Sequence, residues 1–161
     1  GALSESDLKS RDKWQSIFMP SGSFVAGRTD DEHWLTFGTP NTIPVLYSNL
    51  PILMARSYVD TPVRIGQMVS NNEIEEPRVI NWSSLPAGND LNVRMSGLLW
   101  PEASQRIANS GYLTRERIGD GQVILFSGEP NFRGATLGTN RLWLNAIVYG
   151  PGLGTSDRIT P

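Results

Sequence analysis

Residues 111–126 read GYLTRERIGDGQVILF, and this stretch decides the predicted fold. The run 112–117 has the alternation of a strand, and the turn Gly119-Asp120-Gly121 follows it. Residues 123–126 are then wholly apolar, which is typical of a strand covered on both faces. The sequence therefore predicts a β-hairpin whose second strand lies in the centre of a sheet.

Helices are predicted on both sides of this hairpin. The stretch from Leu137 to Val148 has an almost wholly apolar surface and ends before Gly150-Pro151, so we expect a buried helix over residues 139–149 that covers the central strand. Pro101 stands at the first turn of a short amphipathic helix that ends before Gly111. Near the N-terminus, Ser4 is a candidate N-cap with Asp7 three residues later, which predicts a polar helix over residues 4–17.

The remaining strands are expected in the first half of the chain, where Gly, Pro and Asn separate short apolar runs. Pro44 lies inside one run, so that strand is expected to begin after it or to lie at a sheet edge. The predicted strands are 23–26, 43–48, 52–56, 63–68 and 79–81.

These elements predict a single α/β domain over residues 1–150, with a mixed sheet and flanking helices. Residues 1–21 would form the N-terminal helix and a linker, and the Gly-, Pro- and Thr-rich residues 151–161 a flexible tail. Because the chain begins Gly-Ala without Met, it is expected to be a piece of a longer protein.

Composition excludes several classes of function. With 161 residues, 39% hydrophobic and 19% charged, the chain has the composition of a globular domain with a core. A net charge of −2 disfavours nucleic acid as a partner, and no apolar run is long enough for a membrane span. The chain has no Cys and one His, so we expect neither a cofactor nor a metal site in it.

The single histidine, His33, follows Asp30-Asp31-Glu32. Three carboxylates and an imidazole are groups that can bind a divalent metal. Adjacent side chains in an extended segment point to alternate faces, so the sequence favours a turn in which His33 caps or packs locally. Trp34 is expected to anchor that turn. No serine lies in a G-x-S-x-G frame, and no catalytic residue is predicted.

Binding residues are expected at two other places. In the segment PNFRG, residues 130–134, Asn131 helps to set a turn and Phe132 is expected to return to the core. Two roles stay open for Arg133: binding an anion or a partner's carboxylate, or clamping backbone carbonyls or a nearby acid. Trp34, Trp82 and Trp100 stand beside loop signals, where they would stack on a ligand or fill the core.

Several of these segments together resemble a known family. They are DDEHWLTFG (30–38), LLWPEA (98–103), GYLTRE (111–116) and GQVILFSGEPNFRG (121–134), continued by residues 138–146. They resemble the C-terminal domain of bacterial zinc carboxypeptidase-like proteins of the carboxypeptidase A superfamily. The resemblance covers nearly all of residues 22–150.

The resemblance implies a flavodoxin-like sheet, similar to class I glutamine amidotransferases, either whole or truncated. It also implies an exported parent, periplasmic or secreted, whose catalytic domain holds zinc; the composition fits the cytosol equally. This chain lacks that family's His-x-x-Glu pair and an amidotransferase cysteine. The expected function is therefore a non-catalytic accessory domain whose partner is the parent's carboxypeptidase domain. The alternative is a peptide- or glycan-binding module of the cell envelope.

Overall fold

The structure, a computed structural model, describes residues 4–81 and 83–153. These residues form a mixed α/β fold with a curled antiparallel sheet. The helices are α1 Glu5–Ser16, α2 Pro101–Ile107 and α3 Leu137–Tyr149. The strands are β1 Ser21–Thr29, β2 Thr42–Ser48, β3 Asp60–Ile65, β4 Gln67–Ser70, β5 Arg78–Ile80, β6 Ser83–Leu85, β7 Asn89–Asn92, β8 Arg94–Ser96, β9 Gly111–Ile118 and β10 Gly121–Phe126.

The main sheet has six strands in the order β10-β9-β3-β1-β2, with β8 also pairing with β1. Two small sheets, β4-β7 and β5-β6, lie outside it. Every strand pairing in the described ranges is antiparallel. The expectations of a mixed sheet and of a flavodoxin-like one are therefore both wrong, because each requires parallel strands, which are joined by crossover connections.

The predicted hairpin is confirmed, but its place in the sheet is not the predicted one. The strands β9 and β10 pair continuously from Ile118–Gly121 to Leu113–Phe126. β9 is the interior strand, because β3 occupies its other edge with Val63 opposite Leu113. β10 is left at the end of the sheet, so the prediction of a central second strand is wrong.

Local signals set the helix N-termini as predicted. The Ser4 side chain caps α1, and Asp7 completes the reciprocal capping box. Pro101 stands at the first turn of α2.

Pro44 lies within β2, and β2 is the opposite edge strand, where a missing backbone N–H is tolerated.

The core lies against β1, β2, β3 and β9. The helix α3 covers this core with one of its sides. Leu142 is fully buried, and Gly138 sits so close to Ile43 that an added Cβ would lie 2.6 Å from the Ile43 Cγ2. The opposite side of α3 is exposed. The prediction of a wholly buried helix is therefore wrong, because no other element packs against that side in the part of the chain described.

Other strand predictions hold in part. Residues 52–56 form no strand, and Leu53 makes only an isolated bridge to Gly111. The predicted strand 63–68 divides into β3 and β4 at Gly66, whose φ of +106° turns the chain. The predicted strand 79–81 matches β5 closely. Of the predicted tail, residues 154–161 lie outside the described residues.

Candidate functional site

Large apolar side chains are exposed around the free edge of β10 and along the outer side of α3. Val123 is 39% exposed and Leu125 51% exposed, although both lie in the most apolar strand of the chain. We call this region the β10–α3 surface; its residues are Val123, Leu125, Trp143, Leu144, Ile147, Val148 and Tyr149.

An open groove of about 560 Å³ separates β10 from α3 within this surface. Ile124 and Phe126 line it from the strand, and Trp143 and Ile147 line it from the helix. Val123 and Leu125 alternate with the groove residues and so face the other side of the sheet. Apolar side chains therefore surround the strand edge on both faces.

A polar network fixes one end of the groove. The Gln122 Nε2 donates to the carbonyl oxygens of Gly150 at 2.6 Å and Leu153 at 2.7 Å. The Arg115 Nε donates to the Gln122 Oε1 at 2.7 Å, and Arg115 also pairs with Asp60 at 3.0 Å. These contacts tie the end of α3 to β10 and β3, so the groove has a defined width at this end.

The outer edge of β10 is a second unusual feature. Its backbone pairs with β9 on one side, and no strand occupies the other side in the described ranges. β10 carries no charged residue, whereas edge strands usually carry charges, proline or bulges that prevent further pairing. The strand is therefore open to addition of another strand.

The predicted residue His33 caps the short 3-10 helix Trp34–Thr36. Its Nδ1 accepts a hydrogen bond from the Leu35 N–H at 3.1 Å, and its Nε2 lies 3.8 Å from the Asp60 Oδ2. Burial lowers the pKa of His33 more than the Asp60 and Asp30 carboxylates raise it. One nitrogen of the imidazole is thus committed to the backbone.

The predicted tryptophans occupy separate parts of the fold. Trp34 stacks on His33 with ring centroids 5.6 Å apart and packs against the core. Trp100 precedes α2, is 51% exposed and has its ring centroid 6.2 Å from that of Phe18. Trp100 lines a cleft of about 430 Å³ with Phe18 and Leu98. Trp82 lies outside the described residues.

Asn131 and Arg133 both lie at the exposed turn before α3. Arg133 has a φ of +49°, and its guanidinium carbon lies 5.2 Å from the centroid of the Phe132 ring. Phe132 is exposed, so the expectation that it returns to the core is wrong. No hydrogen bond or ring contact of the described residues joins Asn131 or Arg133 to His33 or Trp100, and Arg133 has no acidic partner among their ion pairs.

Metal-binding clusters and membrane-spanning helices are both absent from residues 4–81 and 83–153. No group of three or more His, Asp or Glu side chains is arranged to hold a metal ion there. No helix in these ranges is long and apolar enough to cross a membrane.

Comparison with known proteins adds no relative: no protein-family model, no curated protein and no solved structure matches the chain.

Proposed function

We propose that this chain is a non-catalytic interaction domain that docks on a folded protein domain through the β10–α3 surface. The observation that carries the proposal is the strand β10. Its apolar run is typical of a strand covered on both faces, yet Val123 and Leu125 are exposed and one edge of β10 pairs with no strand of the described residues. Burial of its apolar faces and pairing of its free edge would come from the partner.

The shape of the exposed region favours a folded partner over an isolated peptide. An extended peptide would cover the edge of β10 and the groove. The exposed apolar residues continue around α3 through Leu144 and Val148 to Tyr149, which meets the ring of Phe37 edge-on at a centroid distance of 6.4 Å. Only a body with its own surface would cover both the strand edge and the outer side of the helix.

The proposed partner is the catalytic domain of a zinc carboxypeptidase-like protein within the same polypeptide. This partner follows from the sequence resemblance, and the apolar surface is the kind that domains of one chain bury against each other. The non-catalytic role is supported by His33, the single imidazole in the sequence, whose Nδ1 is engaged in capping.

The experiment compares charged substitutions on and off the surface. Leu125→Lys changes the strand and Ile147→Lys changes the helix, while Val79→Lys is the control at an exposed apolar position of β5. Binding to the purified carboxypeptidase domain is measured by calorimetry, and hydrogen exchange of the β10 amides is measured on the unaltered chain. We expect both surface variants to weaken binding by at least about tenfold, because each buries a charge.

We also expect the chain alone to be monomeric and its β10 amides to gain protection when the partner binds. A stable dimer that Leu125→Lys dissociates would identify a second copy as the occupant and overturn the proposal. Absence of binding, or equal weakening by Val79→Lys, would also refute it.

A peptide- or glycan-binding module is a second candidate, supported by the exposed Trp100 beside its cleft. Indole rings at such positions stack on sugars and apolar side chains. If this candidate is correct, a cell-wall peptide or glycan changes the fluorescence of the chain, and Trp100→Phe removes the change. Fluorescence that is indifferent to both ligands would exclude this role for Trp100.

A further inference from the structure

A second pocket, of about 350 Å³, lies between β1, β3 and the turn that carries His33. Its lining differs from that of the groove, because it is mostly polar. The lining includes Arg28, Asp30, His33, Asp60, Thr61 and Arg64.

Two arginines stand directly opposite each other at this pocket. Arg28 of β1 and Arg64 of β3 are register partners in the antiparallel pair, so their side chains leave the same face of the sheet. Like charges in this arrangement destabilise a sheet. Burial, together with the charge of Arg64, lowers the pKa of Arg28, and burial lowers the pKa of Arg64. The fold therefore gathers two partly buried guanidiniums at one point.

Within the described residues, Arg28 donates hydrogen bonds to two neutral acceptors. Its Nη1 donates to the Gly66 carbonyl at 3.0 Å, and its Nη2 donates to the Asn109 Oδ1 at 3.1 Å. Neither acceptor compensates the positive charge. These bonds instead fix the orientation of the guanidinium beside the pocket.

The acids at the pocket are engaged elsewhere. The Asp60 carboxylate accepts from Arg115 at 3.0 Å, and the Asp30 Oδ1 accepts from the Glu32 N–H at 3.1 Å. Both carboxylates that line the pocket therefore have hydrogen-bond donors of their own.

The hydroxyl of Thr61 gives an independent indication of a missing ligand. Its Oγ1 is buried and has no hydrogen-bond partner among the described residues, although Thr61 lines the pocket. A buried hydroxyl in a native fold nearly always finds a partner. An anion oxygen within the pocket would accept a hydrogen bond from this hydroxyl.

We propose that this pocket binds a small oxyanion, the carboxylate or phosphate group of a ligand, between Arg28 and Arg64 with the Thr61 hydroxyl as a third donor. Guanidiniums bind both groups with paired hydrogen bonds. The bound charge would relieve the repulsion between the two arginines, so binding and folding are coupled. This site is separate from the β10–α3 surface and does not depend on the proposed docking.

The test uses the full chain with inorganic phosphate, acetate and chloride at matched ionic strength. Affinity is measured by calorimetry, and amide chemical shifts of Thr61 and Arg64 report the place of binding. Thr61→Val removes the hydroxyl while keeping the shape, and Arg64→Gln removes one charge. Arg117→Gln, at an exposed arginine of β9, is the matched control.

We expect phosphate, acetate or both to bind and chloride not to. Arg64→Gln should weaken the affinity by at least about tenfold and Thr61→Val by about threefold, with no change in Arg117→Gln. Binding of phosphate alone or acetate alone would identify which group the pocket takes. Equal effects of all three salts, no shift at Thr61 and Arg64, or equal weakening in the control would overturn the proposal. The shift measurement on the unaltered chain decides the matter even if a variant fails to fold.

Discussion

The side-chain amide of Asn145 donates a hydrogen bond to the backbone carbonyl of Leu35 at 2.9 Å, although the two residues are 110 positions apart. The same amide also donates to the Phe37 carbonyl at 2.9 Å. Asn145 is only 2% exposed. One side chain of α3 therefore donates to two carbonyls at the 3-10 helix Trp34–Thr36. These two bonds hold α3 beside the 3-10 helix.

Asn145→Ala is expected to destabilise the fold by about 1–3 kcal/mol, because the buried Leu35 carbonyl loses its donor and the Phe37 carbonyl keeps only the Arg141 Nε at 3.2 Å. The free energy of unfolding from urea titration measures the effect. Val148→Ala, on the exposed side of the same helix, should change it by less than about 0.5 kcal/mol. Equal effects of the two substitutions would show that Asn145 does not hold α3 in place.

Leu142→Ala is expected to cost about 2–5 kcal/mol, because it removes a fully buried side chain from the core. Leu144→Ala is the matched control two residues further along α3, where the side chain is half exposed. We expect thermal unfolding to shift strongly for Leu142→Ala and little for Leu144→Ala. A reversal of this order would mean that α3 packs on the sheet with its other side.

Gly138→Ala is expected to destabilise the chain even though alanine is the better helix former. The new Cβ would lie 2.6 Å from the Ile43 Cγ2 and 2.8 Å from its Cβ, so α3 or β2 must shift. We expect a loss of about 1–3 kcal/mol in chemical unfolding, typical of overpacking. Combining it with Ile43→Ala tests the cause, because alanine at 43 lacks the Cγ2 that the new Cβ would meet, so Gly138→Ala should cost less in the Ile43→Ala chain than in the unaltered chain. A stabilised Gly138→Ala would contradict this packing.

The stability of the chain is expected to fall as the pH falls through the ordinary His33 pKa of 6.5. Burial lowers the pKa of the folded imidazole, so the unfolded chain binds the proton first and acid favours unfolding. The loss begins near pH 6.5 and stops growing below the folded pKa. Protonation at Nδ1 would also remove the acceptor for the Leu35 N–H.

His33→Asn separates capping from titration, because asparagine keeps a capping oxygen but has no proton to bind. Urea unfolding between about pH 7 and pH 5 should show a slope for the unaltered chain and a flatter line for His33→Asn. Identical slopes would mean that other groups cause the pH dependence.

The sequence predicts the local features of this fold well, because their causes lie within a few residues. Ser4 and Asp7 define the start of α1, Pro101 that of α2, and Gly119-Asp120-Gly121 the hairpin turn. Each of these signals acts through the adjacent backbone. They require no knowledge of which strands meet.

The position of β10 in the sheet has a different kind of cause. It depends on the pairing of β3 with β9, which joins Val63 to Leu113 across the chain. The pocket could not be predicted from the sequence for the same reason, because it depends on the pairing of β1 with β3, and no local pattern places Arg28 opposite Arg64. Two local patterns do indicate the exposed surface: the apolar run of β10 and the almost wholly apolar surface of α3. Each pattern is typical of an element that other parts of a protein cover on every side.

The strand order also constrains how the chain can fold during translation. The β1–β2 hairpin is available early in translation, but β3 remains half paired until β9 has been synthesised, because β9 supplies its other neighbour. α3, which covers β2 and fixes the Trp34–Thr36 turn, emerges later still. The core of the nascent chain therefore cannot be completed until nearly all of the described residues have left the exit tunnel. Until then, many of the side chains that form this core stay in contact with water.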